Sequence, residues 1–178
     1  MRTGEHNLGP EHGRLLVKTS RTGLGRRAGH DLTIEVGRWQ ATAVIDTDDP
    51  GRSSVAATVE VDSFQVREGT GGVKPLTDGD RADIKQTVQQ KILDTARHPT
   101  ISFRSTQVAG PPEAFTVEGE LTIREVPRPV TVRGSVIDGR VRGGATIVQP
   151  QFGIKPYTAF FGALKLADEV EITFDLML

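Results

Sequence analysis

Histidine and aspartate are the residues of this chain whose chemistry could support acid–base catalysis or metal binding. The chain has four histidines, and one of them, His30, is followed directly by Asp31. Adjacent residues of a strand point to opposite faces, so these two side chains would cooperate only across a turn. No two histidines have metal-ligand spacing on a helix, cysteine is absent, and there is no G-x-S-x-G motif. We therefore predict no catalytic residue, no metal site and no cofactor.

A glycine- and arginine-rich segment, SRTGLGRRAGHD, occupies residues 20–31 and is the next candidate for binding chemistry. It lacks the glycine and lysine spacing of a phosphate-binding loop. We interpret it as a flexible, solvated loop. The alternative is that Arg26, Arg27 and the later Lys155 contact the polar headgroup of a ligand.

Composition and charge exclude several classes of partner. The 22 basic and 23 acidic residues leave a net charge of −1, which argues against a nucleic acid as partner. No apolar run approaches the roughly 20 residues that span a bilayer, so we expect no stable membrane insertion. The amino terminus lacks the apolar core of a signal peptide. We therefore expect a cytoplasmic location, or a periplasmic or secreted one if a leader has been removed.

One helix is predicted near residues 80–97, and it is the exception in a chain of strands. Ile84, Val88 and Ile92 recur at four-residue spacing after Asp80, which could cap the helix. Their shared face must rest on an apolar surface, so we expect this helix to be a lid or plug. Its alternative role is purely structural.

The remaining periodic segments alternate with a period of two, as strands do. Residues 1–13 are predicted to be a flexible lead-in, and residues 14–178 a single domain. A hairpin is predicted about Gly37, between segments 32–36 and 39–45. Eight to nine short strands with one helix predict an all-β fold, a closed antiparallel barrel, with a two-sheet sandwich as the alternative.

The inferred inner face carries valine, alanine and glycine more often than large residues. Small inward side chains predict an apolar void that could hold an apolar guest, since an eight-stranded barrel has room for one small ligand. The alternative is a filled core in which the same side chains meet. The predicted lining consists of Val59, Val61, Phe103, Phe115, Val117, Val132, Ile147 and Phe174.

A late aromatic-rich connection is the last candidate site. It contains Phe152, Tyr157, Phe160 and Phe161. These rings could gate the mouth of the void and join its lining. A loop folded over the barrel end and a contact between two copies of the chain are the alternatives.

Four sequence blocks resemble a known family. They are HPTISFRST at residues 98–106, GELTIREVPRPVTV at 119–132, QFGI at 151–154 and DEVEI at 168–172. In this order they are similar to the YceI-like family of bacterial lipid-binding proteins. The resemblance implies an extended lipocalin-like antiparallel eight-stranded β-barrel, with an inserted helix, that holds a long isoprenoid such as a quinone tail. Because some family members pair, it also implies a homodimer.

We therefore expect non-catalytic binding, transport or storage of a long-chain apolar ligand, either an isoprenoid quinone, a polyisoprenoid or a similar lipid. The alternative is an interaction module with a filled barrel and an aromatic-loop dimer interface. A third hypothesis is an enzyme for a small apolar substrate, which would depend on His30 and His98.

Overall fold

Antiparallel strands dominate the computed structural model, which describes residues 2–178. In chain order the strands are β1 (Gly4–Leu8), β2 (Gly13–Thr22), β3 (Asp31–Val36), β4 (Trp39–Ile45), β5 (Ser54–Glu60), β6 (Phe64–Thr70), β7 (Thr100–Ala109), β8 (Phe115–Ile123), β9 (Val126–Ile137), β10 (Arg140–Val148), β11 (Thr158–Ala159) and β12 (Leu164–Met177). All of the strand pairs are antiparallel.

The barrel has eight strands, which we call arms, and three of these arms are long and interrupted in the middle. β1 and β2 form one arm, β3 and β4 the second, and β5 and β6 the third. The second arm pairs with the first through both of its halves, and with the third in the same way. From the third arm the order runs through β7, β8, β9 and β10 to β12, which pairs back onto β2. The eight arms follow chain order, and the predicted eight-stranded barrel is confirmed.

The chain does not reverse at Gly37, so the predicted hairpin is wrong. β3 and β4 run on from one another, and the break between them changes their partners from β2 and β6 to β1 and β5. Ser63, on the third arm, holds this break. Its carbonyl accepts the Gly37 N–H at 3.1 Å, and its hydroxyl accepts the Arg38 N–H at 2.8 Å. Because the hydrogen bonds of this bend come from a serine far away in the sequence, residues near Gly37 do not reveal it.

The predicted lead-in is also corrected. Gly4–Leu8 pair with β4 along their whole length, and the Asn7 side chain accepts a hydrogen bond from the Thr42 hydroxyl at 2.9 Å. Leu8 packs against the buried Trp39 cluster. Since a five-residue strand rich in polar side chains carries little local signal, its partner strand decides its structure.

The helix occupies Asp78–Thr87 as α1 and continues as a π-helical turn over Val88–Ile92. Thr77, and not Asp80, is its N-cap. The Thr77 hydroxyl accepts the Asp80 N–H at 3.1 Å, and the Asp80 carboxylate accepts the Thr77 N–H at 2.8 Å, which makes a reciprocal capping box. The helix ends before residue 97, as Asp94 adopts the left-handed conformation with φ 48°.

The core consists of three separate clusters. One lies between β3 and β6, around Phe64, and Ile84 and Val88 of the helix pack on it. A second surrounds Phe152, where Ile92 packs. The third contains Trp39. The helix thus joins the first two clusters, and Val17 packs on both the first and the third.

An up-and-down barrel has connections at two ends, and here they differ. We define the turn end as residues 46–53, 110–114 and 138–139. We define the loop end as residues 23–30, 71–99, 124–125 and 149–163, which includes the helix. Within residues 2–178, no helix is long and apolar enough to cross a bilayer.

Candidate ligand-binding cavity

A cavity of about 710 Å³ follows the barrel interior. His30, Tyr157 and Leu164 line it toward the loop end, whereas Asp46 and Pro112 line it toward the turn end. Between them the wall is almost entirely aliphatic and aromatic. Sites for small organic ligands commonly enclose 300–1,000 Å³ behind mostly apolar walls.

The cavity exists because small residues face inward where strands approach each other. Ala41 and Ala57 are directly paired, and both line the cavity. Phe103 and Phe174 also line it, and both remain only half buried although they project into the barrel. Their exposed surface faces the internal space. The barrel therefore has room for a guest of low polarity.

Three of the inward phenylalanines lie over glycines of neighbouring strands. The Phe115 ring covers Gly134, its direct partner, and the Phe174 ring covers Gly143 in the same way. Phe103 covers Gly119 diagonally. A Cβ atom at any of these three glycines would collide with the ring. Glycine at these three positions therefore lets each ring lie against the neighbouring strand.

Most of the predicted lining residues do face this space. The wall includes Val59, Val61, Phe103, Phe115, Val117, Val132, Ile147, Tyr157 and Phe174, and also the helix residues Ile84, Val88 and Ile92. Phe152 lies behind the wall, 1% exposed and packed on Ile147 and Ile154. Contact of these residues with a ligand remains a prediction.

Phe161 does not line the cavity, in contrast to the sequence prediction. Its φ of 54°, followed by Gly162 at 87°, turns the chain outward and leaves the ring fully exposed. Tyr157 of the same connection reaches the wall and remains partly exposed. The side chain of Phe160, also predicted to line the cavity, lies outside what the structure describes.

A family model for the YceI-like domain matches residues 7–178. The chain belongs to the YceI-like family. Among curated proteins, it is 28% identical over 127 residues to UPF0312 proteins of Pseudomonas aeruginosa, and the match spans 60% of their length.

Solved structures share the fold of this YceI-like domain. BcnA of Burkholderia cenocepacia superposes with a TM-score of 0.65 at 21% identity, covering 92% of this chain and 96% of its own. The YCEI protein of Campylobacter jejuni gives 0.61 at 13% identity, with 82% of each chain covered. A polyisoprenoid-binding domain from Saccharophagus degradans gives 0.58 at 9% identity, covering 98% and 97%. At these identities the likeness concerns the fold.

The sequence prediction missed the part of the wall that the second arm contributes. Leu32, Ile34, Trp39, Ala41 and Ala43 line the cavity from the second arm. The inward residues are even-numbered before Gly37 and odd-numbered after it, because the break at residues 37–38 shifts the alternation by one. The alternation itself was visible in the sequence and was the signal for this wall. The sequence did not show which other arms these inward residues would face.

The histidines of the YceI-like domain have separate structural partners. His30 Nε2 donates to the Lys74 carbonyl at 2.7 Å, whereas the Asp31 carboxylate accepts the Arg21 N–H at 2.8 Å. His98, at the far end of the helix connection, lies 3.5 Å from the Glu125 carboxylate. Over the described residues, no group of three histidines or carboxylates could hold a metal ion.

Two carboxylates stabilise the helix, Asp62 by joining its end to the barrel and Asp80 by closing its capping box. Asp62 accepts hydrogen bonds from the Thr95 side chain and, at 3.0 Å, from Gln89 Nε2, and these bonds lower its pKa. The pKa of Asp80 is lowered by the Thr77 N–H that it accepts in the capping box. Both groups therefore favour the docked helix in their charged form.

Proposed function

We propose that this YceI-like protein is a non-catalytic carrier or store for a long-chain apolar molecule, such as an isoprenoid quinone or a polyisoprenoid. The observation that carries the proposal is the apolar cavity of about 710 Å³ that follows the barrel from end to end. An elongated ligand fits an elongated space. The family membership and the polyisoprenoid-binding neighbour support the same class of ligand.

The wall has the composition that a hydrocarbon chain requires. Each methylene removed from water contributes about 0.8 kcal/mol, so affinity grows with chain length and needs few polar contacts. The ligand loses conformational and translational freedom when it binds, and this loss offsets part of the gain. We therefore expect loose selectivity among tails of similar length and weak binding of short ones.

Extraction of the purified protein, combined with native mass spectrometry, tests occupancy directly. Trp39 is the single tryptophan and lines the cavity, so its fluorescence reports on a quinone added to delipidated protein. We expect saturable quenching by a long-tailed isoprenoid quinone and competition by a linear polyprenol. Absence of both bound lipid and competition would refute the proposal.

A matched pair of variants on β5 assigns the binding to the interior. Ala57 lines the cavity, whereas its neighbour Ala56 is exposed on the outer face. We expect Ala57→Phe to weaken binding about tenfold or more, because the ring takes the space of the ligand. Ala56→Phe should bind as the wild type does. Equal affinities for the two variants would place the ligand outside the barrel.

A further inference from the structure

Three segments of the loop end are held together, and each presents an apolar side chain to solvent. The Gly25 N–H donates to the Ala163 carbonyl at 2.9 Å, which joins residues 22–30 to the segment 155–163. The bond from His30 to the Lys74 carbonyl joins residues 22–30 to the segment 70–77. Leu24, Val73 and Phe161, one from each segment, are at least 79% exposed.

These same segments carry cations without carboxylates. Arg26, Arg27, Lys74 and Lys155 are exposed, and none of them forms an ion pair within residues 2–178. No aspartate or glutamate occurs in the three segments. In α1, which follows residues 70–77, Asp78 pairs with Arg81 at 3.1 Å and Asp80 completes the capping box with Thr77. Asp83 of the same helix is exposed and lines the cavity.

The turn end has the opposite character. Its connections contain Asp46, Asp48, Asp49, Glu113 and Asp138, with Arg52 as the single cation. Charge is therefore separated along the barrel axis, although the net charge of the chain is only −1.

The apolar and basic surface borders the cavity. His30 and Tyr157 belong to the three segments and also line the cavity, as does Gly29, against which Leu164 packs. Exposed apolar tips on separate loops, surrounded by cations, are suited to the interface of a bilayer with anionic headgroups. A second copy of the chain would bring the same cations face to face, which disfavours it as the occupant.

We propose that the loop end docks on membranes that contain anionic lipids. Leu24, Val73 and Phe161 enter the interfacial region, and the four cations contact the headgroups. If the proposed carrier function holds, this contact places the mouth of the cavity against the bilayer, so that the ligand passes between membrane and barrel without crossing water.

Vesicle flotation tests docking without reference to the ligand. We expect binding to vesicles of phosphatidylcholine with phosphatidylglycerol, weaker binding to pure phosphatidylcholine, and release at high salt because screening weakens the ionic contacts. Leu24→Ser with Phe161→Ser should reduce the partition constant about a hundredfold, since each buried side chain contributes about tenfold.

The turn end supplies the matched controls. Ile137 is 61% exposed there, so Ile137→Ser removes an exposed apolar side chain of similar size and should float as the wild type does. Arg26→Glu with Arg27→Glu should abolish the preference for anionic vesicles, whereas Arg52→Glu should not. Thermal unfolding checks that each variant is folded.

Three results would overturn the docking proposal. The first is that the wild type does not float with vesicles at low salt. The second is that the control Ile137→Ser loses as much vesicle binding as the double variant Leu24→Ser with Phe161→Ser, and the third is that Phe161 mediates self-association in place of vesicle binding. The carrier function has a separate readout in the Trp39 titration with directly added quinone. Flotation without quinone binding would retain the docking proposal and reject the carrier, and the reverse result would reject docking alone.

Discussion

The two ends of the barrel are built by different physical means. At the turn end, the Asp46 carboxylate accepts the N–H groups of Asp48 and Asp49 at 3.0 and 2.9 Å, and Gly139 turns the chain with φ 76°. Neighbouring residues therefore determine these connections. At the loop end, residues 124–125 form a tight turn, whereas the helix and the three other connections are held by contacts between distant segments.

The loop end therefore tolerates more change in sequence and length than the turn end. Short turns with local hydrogen bonds fix the register of the strands that they join. Long connections do not set register, so they can carry a helix, exposed apolar side chains and cations.

The largest effect is expected in the shared wall. Gly134→Ala places a Cβ atom against the Phe115 ring and the Arg142 carbonyl, neither of which can move freely. We expect a loss of about 2–3 kcal/mol in the free energy of unfolding, measured by urea denaturation. Gly79→Ala is the control, because the nearest atom is 3.7 Å away and alanine favours a helix. Similar stabilities for both variants would contradict the ring-packing role.

The contact between the helix and the cluster around Phe64 should give the next largest effect on stability. Ile84→Ala removes a half-buried side chain from the cluster around Phe64, and we expect a loss of about 1–2 kcal/mol. Amide hydrogen exchange should accelerate in α1 and leave the turn end unchanged. Uniform acceleration over the barrel would show that the ends are not separable.

Removal of the helix cap should have a smaller effect of the same kind. Thr77→Ala loses the hydroxyl that accepts the Asp80 N–H, and we expect a loss of about 1 kcal/mol. Thr77→Ser keeps the acceptor and serves as the control. If serine and alanine behave alike, the capping box does not stabilise the helix.

Acid should loosen the loop end through Asp62 and Asp80. Their folded-state pKa values lie below the ordinary value of 3.8, so their stabilising contribution is complete above that pH and is lost as the pH falls through the lowered values. The protection factors of the α1 amides, corrected for the intrinsic pH dependence of exchange, should therefore fall below pH 4. Asp62→Asn should reduce this pH dependence, whereas Asp175→Asn, in β12, should not.

The smallest effect is expected for an exposed ion pair near the turn end. Arg140 donates two hydrogen bonds to Asp175, at 2.6 and 2.8 Å, and these bonds lower the pKa of the carboxyl. Because solvent screens both groups, Arg140→Ala should barely change the urea midpoint. A change as large as that of Ile84→Ala would require a new account of the turn end.

Local pattern in the sequence was sufficient for most of the barrel strands and for the lining contributed from β5 onward. The alternation around Phe103, Phe115 and Phe174 identified inward faces, and the spacing of Ile84, Val88 and Ile92 identified the helix. Such patterns repeat every two to four residues, so each strand or helix can be recognised from its own residues. The cap was misplaced by three residues because Asp80 and Thr77 exchange hydrogen bonds, and both are capping residue types.

The sequence alone determined the all-β class, the single helix, the apolar faces and the charge of each loop. Tertiary structure decided that Gly4–Leu8 form a strand, that Gly37 bends an arm instead of reversing it, and that the rings of Phe103, Phe115 and Phe174 cover glycines. It also decided that Leu24, Val73 and Phe161 share one end. The physical reason is that hydrogen bonds and packing between residues far apart in sequence settle these features, and no local pattern encodes the partner.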